Sequence, residues 1–382
     1  MNPFKVIIDI ARLKFLRKSN KPIRPKLIAY NVTWRCNAKC PMCGVHKLTE
    51  EQKQVAYELS ANDIREIFKD PALHGLDLIR FTGGEPFLKE DFLQIVDEIV
   101  KNAAPKFIYV TTNATYPKKI EEFVEYFGKK KVNFTIQLSI DAVGEEHDRI
   151  RGIPGSHKSV RATMEILREL RKKYKFNVGI NQVVLSEDFA CVEELNKLAK
   201  EFGFSHRMWL AEETHESDIM HSVSGTPYDA ASKTNYSLEL KFKKEVLEKL
   251  YSEVRNIIKN KISITDFVNY SWAYLHNYLI EGARNRVIDN NPYPNPPCQA
   301  LFCYARIMPN GDILSCTLKP QVIGNLKKEK FSDIWFSQKA DTARGEVKKC
   351  KGCWVECDIV PNALYSGDFI KYYIRKQLGI KS

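Results

Sequence analysis

The run Cys36-Asn37-Ala38-Lys39-Cys40-Pro41-Met42-Cys43 constrains this chain most, because it sets three thiols in C-x3-C-x2-C spacing. It follows the apolar stretch Leu27-Ile28-Ala29-Tyr30-Asn31-Val32, which reads as a short buried strand. A loop leaving the end of such a strand can fold its thiols inward around one metal centre. Three cysteines fill neither a tetrahedral zinc site nor all four corners of a four-iron cluster, so one position stays open for a substrate or cofactor. The spacing alone leaves iron–sulfur and zinc both open.

The other cysteines sharpen this. Of ten in 382 residues, three lie at 36–43 and six between 298 and 357, while Cys191 stands alone near the start of a helical pattern and reads as an inert buried thiol. Clusters in a long chain without a secretory signal point to metal in a reducing, cytoplasmic setting and not to a disulfide scaffold. No apolar run approaches a membrane span. The net charge is +12, but Lys and Arg are spread without a long basic block. That excess reads as solvated surface, and nucleic acid is not an expected partner.

From 27 to about 211 the pattern alternates. Strands are expected near 27–34, 76–81, 106–112, 132–140, 176–184 and 204–210. Helices are expected near 61–69, 90–102, 117–128, 157–173 and 188–201. Such alternation predicts an α/β fold with a parallel sheet and helices outside. Six strands are fewer than a full eight-fold barrel needs, and reactive groups are expected at the C-terminal strand ends. The expected segments are 1–26, 27–211, 212–297 and 298–382.

Residues 3–18 predict an amphipathic helix, with Phe4, Ile7, Ile8, Ala11 and Phe15 on one face and Lys5, Arg12, Lys14 and Lys18 elsewhere. That face suits packing against the body of the protein or peripheral contact with a membrane. Residues 212–297 predict helices near 237–260 and 264–282, then a stiff Pro-rich linker at 290–297. Glu212, Glu213, His215 and His221 lack metal-ligand spacing and read as part of a polar lid over the open side of the barrel.

The strand ends carry motifs. Strand two runs into Thr82-Gly83-Gly84-Glu85-Pro86, whose glycines let the backbone approach a ligand closely. Strand three ends in Thr111-Thr112-Asn113 and strand four in Leu138-Ser139-Ile140-Asp141, followed by Glu146-His147-Asp148-Arg149-Ile150-Arg151-Gly152. Together with C-x3-C-x-φ-C, in which Met42 takes the apolar φ place, these runs resemble the radical S-adenosylmethionine (SAM) enzymes.

The resemblance implies a partial (β/α)6 barrel. It implies a four-iron, four-sulfur cluster on Cys36, Cys40 and Cys43, with SAM chelating the fourth iron. Reductive cleavage of SAM then gives a 5′-deoxyadenosyl radical that takes a hydrogen atom from the substrate. By the same likeness Gly83, Gly84 and Glu85 hold the SAM amino group, Ser139 reaches the ribose, and the Arg151 fork takes the carboxylate. Met42 and Asn181 are further expected SAM contacts. Asn113 reads either as a site-lining residue or as an Asn in a helix-entry turn. Many relatives follow that Asn with Gly, where this chain has Ala114. His147 and Asp148 read as stabilising their loop. A reductant such as flavodoxin or ferredoxin is the expected electron donor.

The last cysteines are Cys298-x4-Cys303-x12-Cys316 and Cys350-x2-Cys353-x3-Cys357, with Gly311 in the hairpin signal Pro309-Asn310-Gly311-Asp312. This resembles the auxiliary-cluster domains called SPASM and twitch. The resemblance implies one auxiliary four-iron cluster on Cys298, Cys316, Cys350 and Cys353, with Cys303 or Cys357 able to replace one of them. Six thiols cannot furnish two clusters with four cysteines each. The expected function is a radical SAM oxidoreductase or maturase acting on a peptide or protein. The same chemistry on a sugar, lipid or cofactor precursor is the alternative. A zinc-binding interaction protein is the rival of another class. No room is expected before strand one for a leader-peptide-binding domain, so any such factor would be a separate protein.

Overall fold

Six parallel strands form the frame of the computed structural model: β1 (Leu27–Asn31), β2 (Leu78–Thr82), β3 (Ile108–Thr112), β4 (Phe134–Ser139), β5 (Asn177–Val184) and β6 (Ser205–Leu210). Each pairs in parallel with the next. Helices Ala61–Ile67, Phe92–Ala103, Pro117–Lys129, Ser156–Lys173 and Ala190–Glu201 connect them in turn. This is the α/β alternation expected from the periodicity. The structure describes residues 3–48, 57–185, 190–210, 267–316, 320–350, 352–354 and 356–378, with single positions between 245 and 252. The expected helix near 237–260 and the polar residues Glu212, Glu213, His215 and His221 lie largely or wholly outside the described residues.

The sheet extends beyond the six strands. β7 (Tyr304–Ile307) pairs in parallel with β1 on its free side. β8 (Asp312–Leu314) and β9 (Val322–Asn325) then add antiparallel, giving nine strands in the order β6-β5-β4-β3-β2-β1-β7-β8-β9. The turn at 309–312 is the expected hairpin, with Gly311 at φ +89°, where glycine is unstrained. The pairing of β7 with β1 was not expected, because periodicity carries no information about a partner so distant in the chain.

Alternation within the strands separates two faces. Ile79, Phe81, Ile108, Val110, Ile136 and Leu138 are fully buried. A seam of rings continues this core, with Phe92 stacked on Phe123 at 5.6 Å and Phe87 edge-on to both at 5.2 and 5.7 Å. The other parity is polar, and strand register sets Asn181 opposite both Ser139 and Arg207, and Thr111 opposite Gln137. Polar groups are thereby gathered on one face before any ligand is considered.

The chain divides into two compact units. One joins Arg24–Leu240 to Tyr304–Ala340 and holds the sheet; the other joins Met1–Ile23, Lys241–Cys303 and Asp341–Ser382. In the second unit, helix Phe267–Asp289 carries Tyr278, whose ring meets Tyr372 edge-on at 5.0 Å and Trp354 at 5.7 Å. Gly282 on this helix is sterically required, since a Cβ there would lie 1.9 Å from the Trp354 ring.

Helix Pro3–Lys18 packs on helix Glu356–Ser366 in the same unit and buries Ile10 and Leu13. The face expected either to pack against the body or to meet a membrane is a different one and is exposed: Ile7, Ile8 and Phe15 are 57%, 64% and 72% exposed. Among the described residues no helix is long and apolar enough to cross a membrane.

Candidate active site

The cysteine loop hangs from β1 by a backbone ladder. Val32 N donates to Thr82 O at 2.8 Å, Gly84 N to Thr33 O at 2.7 Å, and Glu85 N to Arg35 O at 2.8 Å. The two glycines make this approach feasible. A Cβ at Gly83 would lie 2.5 Å from Thr33 O, and one at Gly84 2.1 Å from Arg35 O. Close contact with the stem of the cysteine loop is therefore itself a reason for the Gly-Gly pair, apart from any ligand. Glu58 braces the same stem, accepting from Thr33 Oγ1 at 2.5 Å and Trp34 N at 3.2 Å, and Lys89 pairs with it at 3.3 Å. Trp34, Val45, Leu48, Met308 and Leu314 pack behind Cys36 and Cys43.

Cys36, Cys40, Met42, Cys43, Gly83, Gly84, Glu85, Asn113, Ser139, Arg151 and Asn181 all line one cavity of about 170 Å³. Every residue expected to bind the N-terminal cluster or SAM is thus brought together at the strand ends. Burial pushes the Cys36 thiol up to about 11 and raises Cys40 as well, so both keep their protons until a metal displaces them.

Arg151 is buried, with Nη2 2.9 Å from Asp141 Oδ2 and Nη1 donating to Cys40 Sγ at 3.6 Å. Its loop is tied to the cysteine loop, because Lys39 N donates to Arg151 O at 2.8 Å. Gly152, at φ +62°, passes so close to Lys39 that a Cβ would meet the Lys39 Cβ at 2.9 Å. Asp141 received no role from the sequence. It is fully buried, and its Oδ1 accepts from Val183 N at 3.0 Å. Asp141 thereby fixes the guanidinium to the end of β5. Burial raises its carboxyl, against the pull of Arg151.

The carboxyl of Glu85 spans two strand ends. It accepts from Asn113 N at 2.7 Å, Thr112 Oγ1 at 2.8 Å and Phe87 N at 3.1 Å. Burial nevertheless pushes it up to about 7. Asn113 combines both expected behaviours. Its Oδ1 accepts from Thr115 N at 3.1 Å in a turn, while its Nδ2 donates to Asn37 Oδ1 in the cysteine loop at 2.8 Å. The next residue, Ala114, adopts φ +64°, the left-handed conformation that glycine takes without strain.

His147 and Asp148 engage the protein itself. The buried His147 ring accepts from Asp141 N at 3.3 Å, and burial with the nearby Arg151 lowers it to about 3, so it stays neutral. Asp148 accepts from Gly155 N, Ser156 Oγ and His157 N and caps helix Ser156–Lys173.

The cavity fits a charged, polar cofactor. Among the described residues, buried Arg151 Nε, Asn181 Oδ1 and Thr111 Oγ1 find no hydrogen-bond partner, and all three residues line the cavity. Buried groups of this kind are costly unless a ligand satisfies them.

Of the C-terminal cysteines, Cys298, Cys303, Cys350 and Cys353 belong to the helical unit, and Cys316 to the sheet unit. Cys303 is buried, Cys350 is exposed, and Cys298, Cys316 and Cys353 are half-buried. The Cys357 side chain lies outside the described residues. Cys191 is half-buried, more open than expected. The Cys350–Cys353 turn is anchored by Trp354, whose Nε1 donates to Leu279 O at 2.9 Å and whose ring lies under Arg286 at 3.9 Å.

Comparison with known proteins identifies two domains in the chain. The profile of the Radical SAM superfamily matches residues 30–199, and that of the SPASM iron–sulfur cluster-binding domain matches 298–354. The AdoMet-dependent heme synthase of Methanosarcina barkeri (strain Fusaro / DSM 804) is 22% identical over 330 residues, 86% of this chain and 87% of that protein. The GTP 3′,8-cyclase of Pasteurella multocida (strain Pm70) is 31% identical over 159 residues, 42% of this chain and only 46% of that protein. Among solved structures, Streptococcus suis SuiB bound to precursor peptide SuiA superposes with TM-score 0.59 at 19% identity, covering 92% of this chain and 77% of that one. Native anSMEcpe with bound AdoMet gives 0.55 at 19% identity, over 93% and 98%. The domain content implies a four-iron, four-sulfur cluster with SAM, and auxiliary iron–sulfur at the C-terminus. The chain thus carries a Radical SAM domain over residues 30–199 and a SPASM domain at its C-terminus, and with them it is a radical SAM enzyme.

Proposed function

We propose that this enzyme uses radical SAM chemistry to remove a hydrogen atom from a peptide or protein. The observation that carries this is the match of fold across 92% of the chain to SuiB, which was solved with a precursor peptide bound. Cys36, Cys40 and Cys43 hold the cluster. Arg151, kept rigid by Asp141, meets the SAM carboxylate. The backbone at Gly83 and Gly84 and the charge of Glu85 meet the amino group, and an ammonium there favours the ionised form that burial opposes. Ser139 and Asn181 offer polar groups to the remainder of SAM. When bound, cluster and SAM together supply the 5′-deoxyadenosyl radical that abstracts the hydrogen. In the SPASM domain, Cys298, Cys316, Cys350 and Cys353 hold one auxiliary four-iron cluster, and Cys303 or Cys357 is the reserve ligand. The electron for cleavage comes from a flavodoxin or ferredoxin.

A small-molecule substrate is the second reading, favoured by similarity to a heme synthase over 86% of this chain. The two separate by experiment. Holoenzyme, SAM and reductant are incubated with the peptide and small-molecule fractions of a cell extract, and 5′-deoxyadenosine is followed. A peptide substrate predicts stimulation by the peptide fraction that protease treatment abolishes. Stimulation by the small-molecule fraction, or indifference to protease, contradicts it.

The apolar residues that helix Pro3–Lys18 leaves exposed favour contact with an anionic membrane surface. Ile7, Ile8 and Phe15 are exposed there, flanked by Lys14 and Lys18 on one side and by Arg12 on the other. A second copy of this face would oppose like charges. Sedimentation with phosphatidylglycerol-containing vesicles should retain the protein, and Ile8→Glu with Phe15→Glu should release it. Equal binding to neutral vesicles, or none at all, contradicts this contact.

A further inference from the structure

We propose that Arg17 is a positioning residue for the auxiliary cluster, whose fixed positive charge stabilises the reduced state and raises the reduction potential. The inference rests on reading Cys298 and Cys350 as ligands of that cluster.

Arg17 lies in the last turn of helix Pro3–Lys18. Its Nη1 donates to the backbone carbonyl of Cys298, and its guanidinium sits 4.5 Å from the centre of the fully buried Phe302 ring. The helix end is held in place around it. Lys348 Nζ donates to Lys18 O at 3.0 Å, Lys21 pairs with Asp341 at 2.5 Å, and Ile23 N donates to Phe302 O at 3.0 Å. All of these residues belong to the same unit.

The charge balance at Arg17 is unusual. Among the described residues no carboxylate pairs with it. Burial lowers the guanidinium, and the groups that oppose this are the thiols of Cys298, Cys303 and Cys350. A half-buried cation without a carboxylate is costly unless a countercharge lies nearby. Here the candidate countercharge is the C-terminal cysteine set. A cluster on thiolate ligands is anionic and becomes more so when it gains an electron. A fixed cation beside it therefore favours the reduced form, and local net charge is one of the levers that set such potentials. Arg cannot lose its proton in this role, whereas a half-buried Lys could.

The test is redox potentiometry, not turnover. In full-length protein with Cys36, Cys40 and Cys43 all changed to Ala, the auxiliary cluster is the one cluster left to titrate by electron paramagnetic resonance. Arg17→Gln should shift the reduction equilibrium by about tenfold toward the oxidised form, roughly 59 mV for one electron. Arg17→Lys should restore most of it. If Arg17→Gln instead lacks iron, with an unchanged apo-protein melting temperature and a loaded Arg17→Lys, the same charge requirement has acted on assembly. Equal potentials in all three proteins overturn the proposal. So does a lowered apo-protein melting temperature in Arg17→Gln, which would mark a purely structural bond to Cys298. Absence of any cluster in the parent triple variant refutes the ligand reading itself and is distinguishable from both.

Discussion

At the scale of single residues, the site depends on how Arg151 is held. Charge-assisted hydrogen bonds contribute roughly 1.5–3 kcal/mol. Arg151→Ala should therefore weaken SAM binding at least about tenfold by calorimetry. Asp141→Asn should weaken it as well, by freeing a guanidinium that is otherwise fixed at 2.9 Å. Unchanged affinity in Arg151→Ala would remove the carboxylate role. The contrast between these two residues shows what the sequence makes legible. Arg151 is legible as a candidate because it sits in a local motif. Asp141 sits in the same stretch, but its role comes from Val183 N on another strand and from a guanidinium ten residues onward. No local pattern encodes that meeting. Gly83 and Gly84 were legible as glycines that permit close approach, while what approaches them, the backbone of Thr33 and Arg35, was visible only in three dimensions.

At the scale of elements, the two cysteine sites have separate supports. The Glu58–Lys89 pair is almost fully buried beneath the stem of the N-terminal loop. Glu58→Gln should destabilise the protein by less than the roughly 3–5 kcal/mol of a fully broken buried pair, since Asp91 still faces Lys89 at 3.3 Å. Thermal unfolding of the apo-protein measures this. In the helical unit, Gly282→Ala gains about 1 kcal/mol of helix propensity but forces a Cβ to 1.9 Å from a pinned indole. Overpacking of this kind costs roughly 1–3 kcal/mol, so the overlap should win. The variant should melt lower and lose auxiliary iron while keeping the N-terminal cluster.

Elements with strong periodicity were the legible ones. The six strands and five connecting helices fall within a few residues of their expected places. Helix Glu145–Arg151 escaped because seven mostly charged residues show no apolar period. Helix Pro3–Lys18 was recognised, but its packing face was not. Periodicity shows which residues share a face, and burial of Ile10 and Leu13 depends on a partner helix near the other end of the chain.

For the whole molecule, iron content reports on both cysteine sites at once. Three N-terminal thiols and four C-terminal ones predict about eight irons per chain in anaerobically prepared protein. Changing Cys350 and Cys353 together should leave about four, with SAM cleavage retained at least in part and substrate turnover lost. A structural zinc knuckle would behave otherwise, the double variant losing zinc and keeping all of its iron.

Cleavage of SAM in the cavity framed by Cys36, Cys40 and Cys43 underlies the behaviour expected at every scale. Its most direct test is anaerobic incubation of the purified protein with SAM and a reductant, with mass spectrometry for 5′-deoxyadenosine. The wild-type chain should form it, and Cys40→Ala should form none while keeping its auxiliary iron. Undiminished 5′-deoxyadenosine from Cys40→Ala, or none from an iron-loaded wild-type chain, would contradict the assignment.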